Sequence, residues 1–270
     1  MRSLSPLRRP GLGAVLLAGV LALTAACGGD DEGGKPEADA GTGATPSPSE
    51  SATPSESPSE EPAGPFSDSF SAKDSGWKDV DTEGYYARYD DADGGTFRVG
   101  TRTNASYAAP APLVVGDIAP DHAIRVDVDT TETEDMSDIG AYGVTCWNRP
   151  TEDGAAEAAF LLYVDHQSAY IGLWGEFSGD YVDIAKQDLG GALQAGQSNH
   201  LSATCREGTG DDGNPAAELA LEVNGDEVVS ATYAQNGKNA AWDVGDGVGL
   251  VTAGAGADVL FDNVRVAAAK

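Results

Sequence analysis

The sequence predicts an all-β domain, a two-sheet antiparallel β-sandwich of the jelly-roll kind, and three observations carry that expectation. Ala123-Ile124-Arg125-Val126-Asp127-Val128-Asp129 alternates apolar and charged residues, as a strand with one wet face does. Leu219, Leu221 and Val223 share one strand face, and Asn224-Gly225 then offers the positive-φ pair of a tight hairpin returning through Glu227–Tyr233. No long stretch has helical periodicity. About a dozen such strands in the 206 residues from 65 onward cannot hide their apolar faces in one open sheet, so two sheets must stack.

The chain reads in three parts. Residues 1–26 place Arg2, Arg8 and Arg9 before an uncharged apolar run of 16 residues from Gly11 to Ala26, the layout of a secretory signal peptide. That run is shorter than the roughly 20 residues a spanning helix needs. It ends Leu23-Thr24-Ala25-Ala26-Cys27, which resembles a bacterial lipobox, although Thr24 stands where Leu is usual. The resemblance implies that Cys27 is lipidated and becomes the first residue, held by acyl chains whose burial contributes about 0.8 kcal/mol per methylene. The expected location is the outer face of the bacterial cytoplasmic membrane. Residues 27–64 continue with Gly, Ser, Thr, Pro, Ala and acids, with no aromatic residue and no aliphatic one larger than Ala after Cys27. Such composition cannot offset the entropy of folding, so a disordered linker is expected, reaching on the order of 100 Å if extended. Residues 65–270 form the β-sandwich domain.

The formal charge of −28 falls to about −31 once the three signal arginines are removed. Residues 65–270 alone hold 35 acids against 12 basic residues. Nucleic acid is excluded as a partner, because phosphates need clustered Lys and Arg, and direct docking on anionic lipid is disfavoured on the same ground. Solvation of an exported surface accounts for the charge better than calcium loops, since no compact calcium-loop spacing of acids occurs. With Cys27 assigned to lipid, Cys146 and Cys205 remain in an oxidising compartment, where a disulfide is expected. Closing a loop of about 58 residues would contribute roughly 4 kcal/mol through chain entropy.

Within the domain the strands are expected near 84–89, 96–101, 123–129, 139–147, 158–165, 169–175, 181–187, 199–206, 219–224, 227–233, 247–252 and 257–267. The order of Phe66-Ser67-Asp68-Ser69-Phe70, Ser75-Gly76-Trp77, Tyr142–Trp147, Phe160–Val164, Ala169–Leu173, Asn199–Cys205, Val223-Asn224-Gly225, Gly247–Leu250 and Val259–Val266 resembles the concanavalin A-like lectin/glucanase superfamily, particularly its laminin G-like modules. The resemblance spans most of 65–267. It implies a jelly roll with the two cysteines on paired strands, and a structural Ca2+ held by Asp68 and Asp262 near the first and last strands. It does not imply an activity, because the fold hosts lectins, hydrolases and spacers alike.

Candidate chemistry is sparse. The Glu-x-Asp-x-x-Glu carboxylate pattern of a retaining glucanase is absent. Glu132-Thr133-Glu134-Asp135 lies beyond a strand end and reads as a solvated loop. His122, His166 and His200 lack metal-type partners at short spacing, and no nucleophile elbow, phosphate loop or dinucleotide fingerprint occurs. The hairpin from Phe160 to Trp174 is the best binding candidate. Phe160, Leu162 and Val164 should face the core with Ile171 and Leu173, leaving Tyr163, Asp165, Tyr170 and Trp174 on the other face, with Trp147 nearby. Flat amphipathic rings beside an acid suit a sugar, whose apolar face they cover while polar groups meet hydroxyls. The expectation is a membrane-anchored extracytoplasmic lipoprotein displaying a noncatalytic module for carbohydrate or another envelope component. The alternatives are a glycoside-active enzyme with an atypical carboxylate pair, or a structural spacer or assembly partner.

Overall fold

The computed structural model describes residues 65–91, 94–150, 156–175, 181–194, 196–210, 213–234 and 245–270. The signal, Cys27 and the linker lie outside them. In chain order the strands are β1 (Phe66–Asp68), β2 (Val80–Asp81), β3 (Tyr85–Asp90), β4 (Thr96–Thr101) and β5 (Ser106–Pro110), then a single-turn helix α1 (Val115–Ile118), then β6 (Ile124–Glu132), β7 (Ala141–Pro150), β8 (Ala156–Val164), β9 (Ser168–Trp174) and β10 (Val182–Asp188). They continue with β11 (Ser198–Thr209), β12 (Pro215–Val223), β13 (Asp226–Ala234), β14 (Gly247–Ala253) and β15 (Asp258–Ala268).

These strands build two antiparallel sheets, as the alternation predicts. The larger runs β13-β12-β11-β6-β15-β4-β3-β2, with β1 added on β15, and the smaller runs β10-β9-β8-β7-β14-β5. The chain changes sheets into and out of β5, between β6 and β7, between β10 and β11, between β13 and β14, and again into β15. Hairpin-sized meanders fill each sheet between these crossings. The β12–β13 turn is the predicted one, with Asn224 at φ 53° and Gly225 at φ 90°.

The inner faces supply one continuous core that includes Phe97, Tyr142, Phe160, Leu162, Ile171, Leu201, Leu221, Leu250 and Phe261. Each large apolar side chain hidden this way contributes about 1.5–3 kcal/mol. The disulfide Cys146–Cys205 crosses this core, with its Cα atoms 6.5 Å apart. Cys146 lies on β7 and Cys205 on β11, which belong to different sheets. The cysteines are therefore not on paired strands, contrary to what the family resemblance implied. Both point inward from facing sheets, so the bond clamps one layer to the other.

One buried ion pair fixes the β4–β15 edge. Arg98 holds Asp258 with both arms, its Nε 2.8 Å from Oδ1 and its Nη2 on Oδ2. Burial pushes the Asp258 carboxyl up, and hydrogen bonds from Arg98, Tyr86 and Thr133 outweigh it, holding the group below the ordinary 3.8. Burial together with the bond to Asp258 pushes the Tyr86 hydroxyl up to about 12. Because the native carboxyl value is the lower one, the pair's stabilisation is complete above 3.8 and disappears as pH falls through that lowered value. Asp258→Asn should cost about 2–3 kcal/mol at neutral pH, less than a fully enclosed pair because Asp135 stands 3.6 Å from the same guanidinium. Urea melts should show the wild type losing this advantage on acidification below 3.8 while the variant changes less.

Candidate functional site

The outer face of the smaller sheet is read most directly as rows of residues lying opposite one another across all six strands. One row runs Ala108, Val251, Gly143, Tyr163, Tyr170, Lys186, from β5 to β10. The next runs Pro110, Gly249, Thr145, Leu161, Gly172, Asp183. A shorter row beyond the first brings Ser106, Ala253 and Ala141 together. Along the first row small residues therefore occupy β5, β14 and β7, whereas aromatic and charged ones occupy β8, β9 and β10. The step in side-chain height between the two halves makes a groove of about 430 Å³, floored by Leu161, Val251, Ala141 and Ala253 and walled by Tyr163, Trp174 and Tyr181. Tyr163 and Trp174 pack on the buried trio Ala108, Leu161 and Val251, an apolar cluster separate from the main core.

The hairpin alternation places Tyr163, Asp165, Tyr170 and Trp174 as expected from the sequence. Tyr163 and Tyr170 are cross-strand partners with rings stacked at 4.9 Å and 7°, an arrangement favourable beyond the area it buries. Asp165 serves the β8–β9 turn, accepting the Gln167 and Ser168 amides at 2.7 Å on Oδ1 and the Tyr170 hydroxyl at 2.7 Å on Oδ2. Burial raises its carboxyl, and those hydrogen bonds with the nearby Lys186 ammonium bring it below the ordinary carboxylate value. Lys186 itself lies 4.7 Å over the Tyr170 ring.

Trp147 is not part of this group. It is 2 % exposed, its ring meets Phe160 edge-on at 5.7 Å, and its indole N–H donates to the His122 carbonyl at 3.0 Å. Regular alternation from the inward Cys146 would turn Trp147 outward. The register breaks between Cys146 and Arg149, and Trp147 takes φ 52°, so the bulge swings the indole back into the core.

Tyr181 joins the site instead. Its hydroxyl is 2.8 Å from that of Tyr163, and its ring lies over Gly172, where an added Cβ would come within 2.4 Å of Cε2. Burial raises the Tyr163 and Tyr181 hydroxyls, and Tyr181 is held up further by its bonds to Tyr163 and Asp183. The signal was present in the sequence, since Tyr181 and Asp183 share one strand face two residues apart. Gly172→Ala should push the Tyr181 ring off the sheet with little loss of fold stability. The check is increased iodination or quenching of that tyrosine with an unchanged far-ultraviolet spectrum.

Asp68 and Asp262 do approach one another at β1 and β15, closely enough that Asp262, raised first by burial, is raised further by Asp129 and Asp68. Asp68 Oδ1 accepts the Phe70 amide at 2.7 Å, while Oδ2 is buried without a protein donor. Asp262 Oδ1 accepts the Asn263 amide at 2.7 Å. Calcium takes 6–8 oxygens. That orphaned Asp68 oxygen suits such an ion, but among the described residues no group of three or more His, Cys, Asp or Glu is gathered to hold a metal, so the donor set is partial. The three histidines sit apart, His200 at 2.8 Å from Asp129, His166 at 3.2 Å from Glu132 and His122 at 3.3 Å from Asp246.

No protein-family model matches this chain, and no curated protein matches it in sequence. Solved structures do resemble it. A Bacillus subtilis protein of unknown function with a galectin-like fold superposes with a TM-score of 0.51 at 10% identity, covering 77% of this chain and 97% of its own. The alginate lyase Aly36B gives 0.45 at 12% identity over 77% and 98%, and the Trypanosoma cruzi calreticulin globular domain 0.47 at 8% over 76% and 88%. The first of these likenesses, together with the two antiparallel sheets, defines the class: a galectin-like, jelly-roll β-sandwich.

Proposed function

We propose that this chain is an extracytoplasmic lipoprotein of the concanavalin A-like kind that presents a noncatalytic carbohydrate-binding face. The aromatic-walled groove on the smaller sheet carries the reading. Three rings, Tyr163, Trp174 and Tyr181, edge a shallow channel with an aliphatic floor, which offers the stacking surface that a sugar's apolar face needs and enough length for a few residues of a chain. The described lining holds aromatic, aliphatic and hydroxyl side chains, and Asp165, the acid nearest the stacked pair, has both oxygens engaged in holding its own turn and Tyr170. That is the character of a platform for recognition. An acid already saturated by structural hydrogen bonds is a poor proton shuttle.

Calorimetry or glycan arrays against envelope polysaccharides should show saturable binding by the wild type. Trp174→Ala should weaken it at least tenfold, and Tyr170→Ala less, because Tyr170 supports Tyr163 from behind. Equal silence from all three proteins overturns the reading.

The anchoring half of the proposal rests on Arg2, Arg8, Arg9 and the apolar run closing at Cys27. Mass spectrometry of the native protein should find diacylglycerol on Cys27 as the first residue, and Cys27→Ser should release the protein from the membrane fraction. An unmodified amino terminus in the medium would exclude a tether.

A further inference from the structure

We infer that the paired hydroxyls of Tyr163 and Tyr181 make this groove a reader of vicinal diols, so that it holds glycans whose internal residues keep hydroxyls on neighbouring ring carbons. The inference rests on the carbohydrate reading above. Tyr163 on β8 and Tyr181, immediately before β10, bring their oxygens to 2.8 Å across the intervening strand β9. Gly172 on β9 makes this approach possible, because a Cβ there would come within 2.4 Å of Tyr181 Cε2. The Tyr163 ring is also stacked on Tyr170 at 4.9 Å, and the Tyr170 hydroxyl is tied to Asp165 Oδ2 at 2.7 Å. Both oxygens are thus set in place before any ligand arrives, while Tyr163 stays partly exposed and Tyr181 is 40 % exposed.

Either hydroxyl can be the donor across that contact, and the consequence is the same. A hydroxyl carries one proton and two lone pairs. The donor keeps both lone pairs and the acceptor keeps one, so in either sense the pair presents two adjacent oxygens able to accept. Gauche hydroxyls on neighbouring carbons of a sugar ring stand at a similar separation, within the O–H···O range of about 2.5–3.0 Å. Each can therefore donate to one tyrosine oxygen at the same time, closing a ring of four oxygens, while the adjoining C–H face of the sugar lies on Leu161 and Val251. A sugar residue whose free hydroxyls sit equatorially on alternate carbons meets one oxygen of the pair and leaves the other unused. Among the described residues the rest of the lining does not build a second such pair. Ser106 stands on β5, three strand spacings or about 14 Å from β8. Trp174 offers a single indole N–H, and Tyr142 borders the groove but is fully buried.

The test titrates the full-length protein, in detergent, with two neutral glucose hexamers. Cellohexaose is linked through O4, which leaves the hydroxyls on C2 and C3 free and adjacent in every internal residue. Laminarihexaose is linked through O3, which separates the free hydroxyls on C2 and C4. The wild type should bind cellohexaose about tenfold more tightly than laminarihexaose. Tyr163→Phe and Tyr181→Phe each keep the ring and remove one oxygen, and each should lower cellohexaose affinity about fivefold while leaving laminarihexaose affinity and the urea midpoint unchanged. Trp174→Ala should abolish saturable binding of both hexamers. Equal Trp174-dependent binding of the two hexamers, or cellohexaose binding untouched by both Phe variants, overturns the diol inference and leaves a sugar-binding groove standing. A loss in the Phe variants shared equally by the two hexamers gives the hydroxyls a packing role and overturns the inference as well. No Trp174-dependent binding of either hexamer overturns both readings together.

Discussion

The two-sidedness of the smaller sheet is the constraint on which the rest of the molecule depends. Every residue of β8 and β9 that turns inward to meet the larger sheet fixes its neighbours outward, because side chains on a strand alternate without exception unless the backbone is broken. Phe160, Leu162 and Val164, with Ile171 and Leu173, close the core, and this alone commits Leu161, Tyr163, Tyr170 and Trp174 to the open face. The groove costs no special backbone geometry on these strands. It follows from packing the core and then placing small residues on one half of the outer face and large ones on the other.

Breaks in that rule are local and have structural uses. The β7 bulge gives Trp147 to the core, where it covers Phe160 and ties down the His122 carbonyl. On β15 a second break between Asp262 and Arg265 lets Asn263, at φ 51°, reach Asp129 on β6 with its side-chain amide at 2.9 Å. Both sit where an added residue bends the strand over a curved core. The disulfide lies one residue from the first break, so the sheet-to-sheet clamp and the inward indole reinforce the same region.

Much of this was legible in the sequence, and the exceptions have identifiable causes. Long alternating strands such as β6 and β12, and the Asn224-Gly225 turn, announce themselves because burial on one face and water on the other leave a period of two. The Tyr163, Asp165, Tyr170 and Trp174 group was legible for the same reason. Strand β5, Ser-Tyr-Ala-Ala-Pro, escapes notice because its small residues give little contrast, and β1 and β2 are too short to show a period. The helix α1 has four residues and no side-chain cap at its start. Trp147 misleads because a bulge is decided by tertiary packing, and the disulfide's placement across the sheets depends on where the chain crosses between layers, which no local pattern encodes.

The same alternation bears on how an acidic domain can keep an aromatic-walled groove. Charges on the larger sheet are drawn into pairs, Arg125 with Asp127 on its own strand and with Glu222 on β12, and Arg206 with Glu218 across β11 and β12, each worth little individually at the surface yet together limiting local self-repulsion. Beside the smaller sheet Asp165 instead accepts the Tyr170 hydroxyl and two amides of its own turn. That carboxylate is engaged in local structure, so the stacked Tyr163 and Tyr170 rings remain an apolar surface beside it. Net acidity and an aromatic wall therefore coexist on one domain, because the acid nearest the stacked pair is held in structural hydrogen bonds.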